Sequence, residues 1–320
     1  MQNMLPPSFR DIETAQARIT GRVHRTPVLT SSGVNALSGA KVYFKCENFQ
    51  KVGAFKYRGA TNAVMCLTEE QASHGVATHS SGNHAAALAL AARTRGIPCF
   101  VAMPRTAPVP KIEAVRHYGA EITFCDPTLA AREETLNGIV SRTGATFIHP
   151  YDNFDVICGQ GTAAREFLED VPGLEILLVP VGGGGLLSGS SISAKAFRKA
   201  IRVIGCEPAN ADDAFRSFQS GTLIPSVNPR TIADGLLTSL SERTFAIIRE
   251  HVDEILTVPE ASIVSAMRLI WQRMKIIIEP SSAVPVAVLL DYPEKFSGRN
   301  IGIIISGGNC DLLNLPFRES

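Results

Sequence analysis

Residues 175–189 read EILLVPVGGGGLLSG, an apolar run that breaks into four glycines and resumes as a helix-forming stretch reaching about Lys195. A run that is apolar throughout, rather than alternating, is how a strand covered on both faces of a parallel sheet reads. Asn300–Ser306, NIGIIIS, has the same character. Working outward, short β-branched runs at Lys41–Glu47, Val76–Ser80, Cys99–Pro104, Glu121–Cys125, Thr146–His149, Arg202–Glu207 and Glu254–Val258 alternate with helical patterns. The first helix opens with Ser8 and Asp11 spaced as a reciprocal cap and closes at Gly21. The alternation predicts an α/β chain of doubly wound open sheets, in which ligands sit outside the carboxyl ends of the strands.

The 320 residues carry 31 Lys plus Arg against 30 Asp plus Glu, a formal net charge of +1, and 45% are hydrophobic. This ordinary balance leaves no electrostatic footprint for nucleic acid or an anionic membrane. No apolar run approaches the roughly 18 residues that span a bilayer, and the N-terminal stretch lacks an apolar core of signal-peptide length. A cytoplasmic protein of one large or two medium domains, acting on a small molecule, is expected. The seven cysteines are scattered without a CxxC pair and read as buried or idle thiols; the seven histidines lack metal-ligand spacing.

Four loops after strands carry the chemistry. Gly182–Gly185 turn the backbone so that several N–H groups converge on one anion at a helix N-terminus, in a pattern that is neither GxxxxGK[ST] nor GxGxxG with a distant acid. The stretch GAFKYRGA, residues 53–60, sets Lys56 among aromatic and small residues, where partial desolvation lowers an amine's pKa and makes it a nucleophile toward a carbonyl. HSSGNH, residues 79–84, gathers hydroxyls, an amide and free N–H groups ahead of an Ala/Leu-rich helix, a site for a carboxylate. SGGN, residues 306–309, ends an apolar strand in a hydroxyl, with glycines that admit a flat ligand. Singly each has a plainer reading, as a flexible turn, a solvated lysine, a helix cap and a tight turn. Together they describe a site for pyridoxal phosphate and an amino acid.

From about residue 20 to the C-terminus the motifs ENFQKVGAFKYRGA, THSSGNHAAALA, VPVGGGGLLSG, EPANADD, TIADG, MKIIIEPSSA and ISGGN follow in order. In this the chain resembles the fold-type II pyridoxal-phosphate enzymes, specifically the serine/threonine dehydratase and serine racemase group, and within it the bacterial 3-hydroxyaspartate dehydratases. The resemblance implies a tryptophan synthase β-like fold of two doubly wound open-sheet domains with the cofactor between them. Residues 1–68 and 154–320 would form a large cofactor-binding domain and 75–152 a small mobile substrate-binding domain.

By the same resemblance Lys56 carries the cofactor and then removes the substrate's Cα proton, with Phe55 packing near the pyridine ring. Asn83 would bond the ring hydroxyl, Gly182, Gly183, Gly184, Gly185 and Leu186 would cradle the phosphate, Gly235 and Glu279 would lie near the ring, and Ser306 would bond the pyridine nitrogen. A serine there weakens the electron sink and favours β-elimination over transamination. Ser80, Ser81, Gly82, Asn83 and His84 would hold the substrate carboxylate, with Arg132 and Thr238 completing the substrate side. Ser81 would face the substrate opposite Lys56. A two-sided acid/base pair is what racemisation requires, whereas dehydration needs one face.

By its charge pattern EPANADD reads as a solvated acidic turn. The resemblance instead implies that Glu207, Asp213 and the carbonyl of Ala211 bind a divalent cation, Mg2+, Ca2+ or Mn2+, in an all-oxygen shell. The implied reaction removes water and ammonia from a 3-hydroxy amino acid to give a 2-oxo acid. Arg132 in DPTLAAREET reads locally as a solvated helix arginine beside Glu133 and Glu134, yet matches a position at the active-site mouth of serine racemases. A guanidinium there would pair with a distal carboxylate, pointing to 3-hydroxyaspartate and oxaloacetate. Alternatives are an L-threonine/L-serine dehydratase or a serine racemase, although Tyr151 in HPYDNFD departs from the small polar residue of animal serine racemases. A β-replacement enzyme, a non-catalytic amino-acid sensor and a nucleotide-binding module are the readings from other classes. A homodimer is expected from the family. The chain ends at Ser320 without an appended regulatory domain, so amino-acid feedback is not expected.

Overall fold

The apolar runs become strands, and the turns between them set two separate sheets. A computed structural model describes residues 5–80 and 82–317. Among the described residues the strands are β1 (Val28–Thr30), β2 (Lys41–Cys46), β3 (Val76–His79), β4 (Cys99–Pro104), β5 (Glu121–Cys125), β6 (Thr146–Phe147), β7 (Ile176–Pro180), β8 (Arg202–Pro208), β9 (Glu254–Val258) and β10 (Asn300–Ile305). One sheet runs β1-β2-β10-β7-β8-β9 and the other β5-β4-β3-β6. Every neighbouring pair is parallel except β1 with β2.

β1 was not expected from the sequence. Three residues are too few for a two-residue period to register, and β1 is an antiparallel edge strand paired with β2 alone. β6 is shorter than its run. Ile148 N–H still bonds the Ala77 carbonyl at 2.9 Å, but His149 turns away and caps the next two backbone N–H groups with its ring.

β7 is buried at every position and β10 at all but its first, because helices cover both faces. On one face Glu260–Met274 and Pro280–Asp291 pack on Val42, Phe44, Leu178 and Ile303; on the other Phe154–Asp170, Gly185–Phe197 and Glu242–His251 pack on Leu177, Val179 and Ile304. The smaller sheet is sandwiched likewise. Val76 and Val101 face the alanine-rich helix Asn83–Arg95, while Ala77 and Ala102 face Leu136 and Ile139 of Leu129–Thr143. Alternation along a strand puts successive side chains on opposite faces, so each strand serves both helical layers.

Three helices meet backbone to backbone. A Cβ on Gly159 would lie 2.6 Å from the Gly59 Cα, and one on Gly189 would lie 2.5 Å from the Ile157 carbonyl and 2.8 Å from the Gly161 Cα. The helix Lys56–Cys66 and the helix that follows the glycine loop thereby both touch Phe154–Asp170 through glycine backbone contacts. All seven cysteine thiols are free and five are buried. Among the described residues no helix is long and apolar enough to cross a membrane.

Candidate active site

Lys56 is the first residue of its helix, and two sets of contacts place it. The preceding loop lies along the end of β10, where the Phe55 N–H bonds the Ser306 carbonyl at 2.9 Å and Ala54 bridges Gly307. Two residues on, fully buried Arg58 reaches Glu47 (2.7 and 2.9 Å) and Glu166 (2.9 and 2.8 Å), and Lys45 also bonds Glu166 at 2.9 Å. Burial alone would push Glu166 up, but the Arg58 and Lys45 hydrogen bonds and charges bring it down to about 2. This balanced quartet ties the start of the helix to β2 and to Phe154–Asp170. No period or motif in the sequence marks it.

The Lys56 Nζ donates to the Pro150 carbonyl at 2.8 Å and lies 5.2 Å from the centre of the Phe55 ring. Burial lowers its amine to about 8, against the opposing charge of Glu279. An amine in that range is partly unprotonated near neutral pH, as attack on a carbonyl requires.

The glycine loop lies beyond the carboxyl end of β7. Gly184 has φ +84° and precedes the helix Gly185–Phe197, whose first N–H groups have no intrahelical partner by construction. A Cβ on Gly182 would lie 2.8 Å from the Leu236 Cα, and one on Gly183 would overlap the Tyr151 ring. Ser306, buried at the end of β10, has its Oγ 3.0 Å from Ser282 Oγ. Gly235 follows Asp234, and its N–H bonds Ser281 Oγ at 3.1 Å.

Asn83 and Glu279, assigned separately from sequence, touch each other. Asn83 Nδ2 donates to both Glu279 oxygens, at 3.0 and 3.1 Å, while Asn309 donates to Glu279 through its backbone (3.1 Å) and to Asn83 Oδ1 through its side chain (2.9 Å). Burial, with the charge of Asp234, pushes Glu279 up to about 7. Asn309 sat in a quoted motif without a role. A cavity of 590 Å³ opens beside Asn83 and Asn309, rimmed by Lys111, Tyr118 and Asp234; it adjoins the Lys56 site without including it. Lys111 and Asp234 form an ion pair across its mouth.

The substrate-side residues are placed unevenly. Ser81 lies outside the described residues. Ser80 Oγ accepts from the Gly82 N–H at 3.3 Å, and the His84 ring turns inward to the Ile148 carbonyl at 3.1 Å. Only the backbone of His84 is therefore left to meet a substrate. Thr238 is exposed and bonds the Tyr151 hydroxyl. Arg132 is half-buried, its Nη2 3.5 Å from the Pro127 carbonyl and its Nε without a partner among the described residues, so it is not the freely solvated arginine its neighbours suggest. Its charge reaches His79, whose ring centre is 6.0 Å from that of His149.

EPANADD is not a solvated turn. Glu207 closes β8 fully buried, its oxygens accepting from the Ala214 and Phe215 N–H groups at 2.9 and 2.8 Å, and Asp213 is 1% exposed with Oδ2 unpartnered among the described residues. Burial pushes Glu207 up to about 9 and Asp213 up to about 6. Only Asp212 fits the solvated reading, half-exposed and paired with Arg216 at 2.8 Å. Among the described residues no three His, Cys, Asp or Glu side chains cluster as metal ligands. Two buried carboxylates, one with an orphaned oxygen, beside the backbone of Ala211 nevertheless fit a cation held by carbonyl and water as well.

These residues also fit pyridoxal phosphate: a cradle that side chains would fill, a desolvated amine and a buried hydroxyl. A profile of the family described as "Pyridoxal-phosphate dependent enzyme" matches residues 19–307. The chain is 51% identical to the beta-hydroxyaspartate dehydratase of Paracoccus denitrificans, over 98% of this chain and all of the relative. It is 46% identical to the L-threo-3-hydroxyaspartate ammonia-lyase of Saccharomyces cerevisiae, over 97% and 95%. The crystal structure of serine racemase from Dictyostelium discoideum superposes with a TM-score of 0.91 at 49% identity, covering 95% of this chain and 99% of that one. Its α/β architecture is accordingly that of fold type II, and the chain belongs to the pyridoxal-phosphate-dependent enzymes.

Proposed function

We propose that this chain is a 3-hydroxyaspartate dehydratase, removing water and ammonia to leave oxaloacetate. The observation that carries the reading is a half-buried amine at Lys56 and a half-buried guanidinium at Arg132 on either side of the neighbouring rings His149 and His79. One suits a base at Cα and the other a distal carboxylate. Full-length similarity to a hydroxyaspartate dehydratase and a hydroxyaspartate ammonia-lyase supports the substrate.

When bound, pyridoxal phosphate supplies a sink for the charge left at Cα. The N–H groups of Gly182 to Leu186 would hold its phosphate, Phe55 and Gly235 would lie near its ring, and Asn83, backed by Glu279, would bond the ring hydroxyl. Ser306 would offer the ring nitrogen a hydroxyl rather than a carboxylate, a weaker sink that would favour loss of the β-hydroxyl. Lys56 takes the Cα proton. Ser81 is assigned the opposite face, which leaves room for racemase side activity. Residues 80–84 hold the α-carboxylate, and Thr238 positions the substrate side through Tyr151. Glu207, Asp213 and the Ala211 carbonyl hold a divalent cation whose part is structural. Residues 1–68 with 154–320 act as the cofactor domain and 75–152 as the substrate domain, a division supported by the strands falling into two sheets.

The test is a keto-acid assay with 3-hydroxyaspartate diastereomers, serine and threonine side by side. Oxaloacetate is expected to dominate. Dominant pyruvate or 2-oxobutanoate would transfer the chain to the serine/threonine dehydratases. Lys56→Ala is expected to lose both visible cofactor absorbance and turnover, and unchanged turnover would overturn the assignment of the base.

A further inference from the structure

His149 has been given no chemical role so far, yet its ring is held in place beside the Lys56 site from several sides. Nδ1 accepts from the Tyr151 N–H at 3.3 Å and the Asp152 N–H at 2.9 Å. A nitrogen that accepts from two backbone donors carries no proton, so the proton resides on Nε2. Ring contacts hold the orientation: Tyr151 at 4.5 Å, Phe147 at 5.6 Å and His79 at 6.0 Å between centres, the first two and the last all edge-on. Burial, then the charges of His79, Lys56 and Arg243, keep the ring neutral, with its protonation pushed down to about 3.

The ring's hydrogen bonds among the described residues are both to Nδ1, which leaves Nε2 to face the site, and the residue is half-buried. On one side follows Pro150, whose carbonyl receives the Lys56 amine; on the other stands His79, within the field of Arg132. A donor that does not ionise therefore stands between the base and the guanidinium. A neutral imidazole N–H is far too weak an acid to protonate a leaving group, which leaves hydrogen bonding as its use.

We propose that His149 is a specificity-determining residue whose Nε2–H donates to the distal oxygen of the substrate's side chain, alongside Arg132. The inference rests on the 3-hydroxyaspartate reading and deepens it. It makes the preference for an oxygen-bearing β-substituent over the threonine methyl depend on a group with no catalytic duty.

Two substitutions separate the ring's two nitrogens. His149→Asn places Oδ1 where Nδ1 accepts, keeping the turn in the manner of an Asx motif, and deletes the distal donor. His149→Gln restores a donor at the reach of Nε2 and gives up the near acceptor. The readouts are kcat and KM for 3-hydroxyaspartate and threonine, with visible cofactor absorbance as the loading control. In the Asn variant the ratio of kcat/KM for 3-hydroxyaspartate over threonine is expected to fall about 10- to 100-fold, carried by KM, as for a lost hydrogen bond to a charged group, with absorbance retained. The Gln variant is expected to recover part of that ratio. An unchanged ratio in the Asn variant, or an equal fall for both substrates with loss of absorbance, overturns the role of His149 alone. Wild-type enzyme that makes no oxaloacetate overturns the substrate reading, and this inference with it.

Discussion

Glu47 and Glu166 beside the Lys56 helix, and Glu207 and Asp213 at the end of β8, are all nearly or fully buried carboxylates, but the chain treats the two pairs differently. The first pair meets two cations of the chain, Arg58 and Lys45, at 2.7 to 2.9 Å. The second meets backbone N–H groups and forms no ion pair among the described residues. Burying a charge costs several kcal/mol unless a partner offsets it, so the quartet is closed within the chain, whereas the acidic corner has no cationic side chain of the described residues to offset it. The directions agree. Glu166 is held down at about 2 by its partners despite burial, whereas burial carries Glu207 up to about 9.

The largest way to break the contrast is Arg58→Met, which turns the closed quartet into an open one. With Glu47 and Glu166 left without their main partner, a loss of about 3–5 kcal/mol is expected in urea unfolding, and less than 1 kcal/mol would mean the quartet contributes little. A smaller effect follows from acid. Glu166 has a folded value of about 2 against an ordinary 4.5, so its contribution is complete above about pH 4.5 and is lost as pH falls from there toward 2. Thermal unfolding between those limits should show a fall on the order of 3 kcal/mol, largely absent in Glu166→Gln. The smallest sharpens the other side. Exhaustive chelation should lower stability by about 2–3 kcal/mol relative to a cation hundredfold above its Kd, with recovery on adding Mg2+, Ca2+ or Mn2+ and no response in Asp213→Asn. Identical melting with and without chelator would leave the acidic corner closed by its backbone donors alone.

What the sequence made legible follows from what leaves a period or a composition behind. The buried runs of β7 and β10 and the four glycines are local patterns, and the sheet and cradle grow from them. Lys56 was weak alone and gained weight from the loops around it. The quartet left no trace, because Lys45 lies in β2 and Glu47 just beyond it, while Glu166, which both Lys45 and Arg58 reach, is more than 100 positions away. EPANADD misleads for the same reason: its charges are local, while the burial of Glu207 comes from its place in β8 between β7 and β9. The contact of Lys56 with the Pro150 carbonyl was unreadable in principle, since any residue supplies a carbonyl.

The helix that begins at Lys56 and the helix that begins at the glycine loop rest on one middle helix through contacts at which glycine backbones meet directly. Side chains between helices act as shims that substitution can thicken or thin by a methylene at a time. At the glycine contacts there is no shim. The gap between amine and phosphate cradle is fixed at the closest approach two backbones allow, so it changes in coarse jumps or not at all. The residues on the smaller sheet's loops carry no such restriction. A chain built this way can exchange one substrate for another by drifting in those loops while its grip on the cofactor stays at a constant gauge.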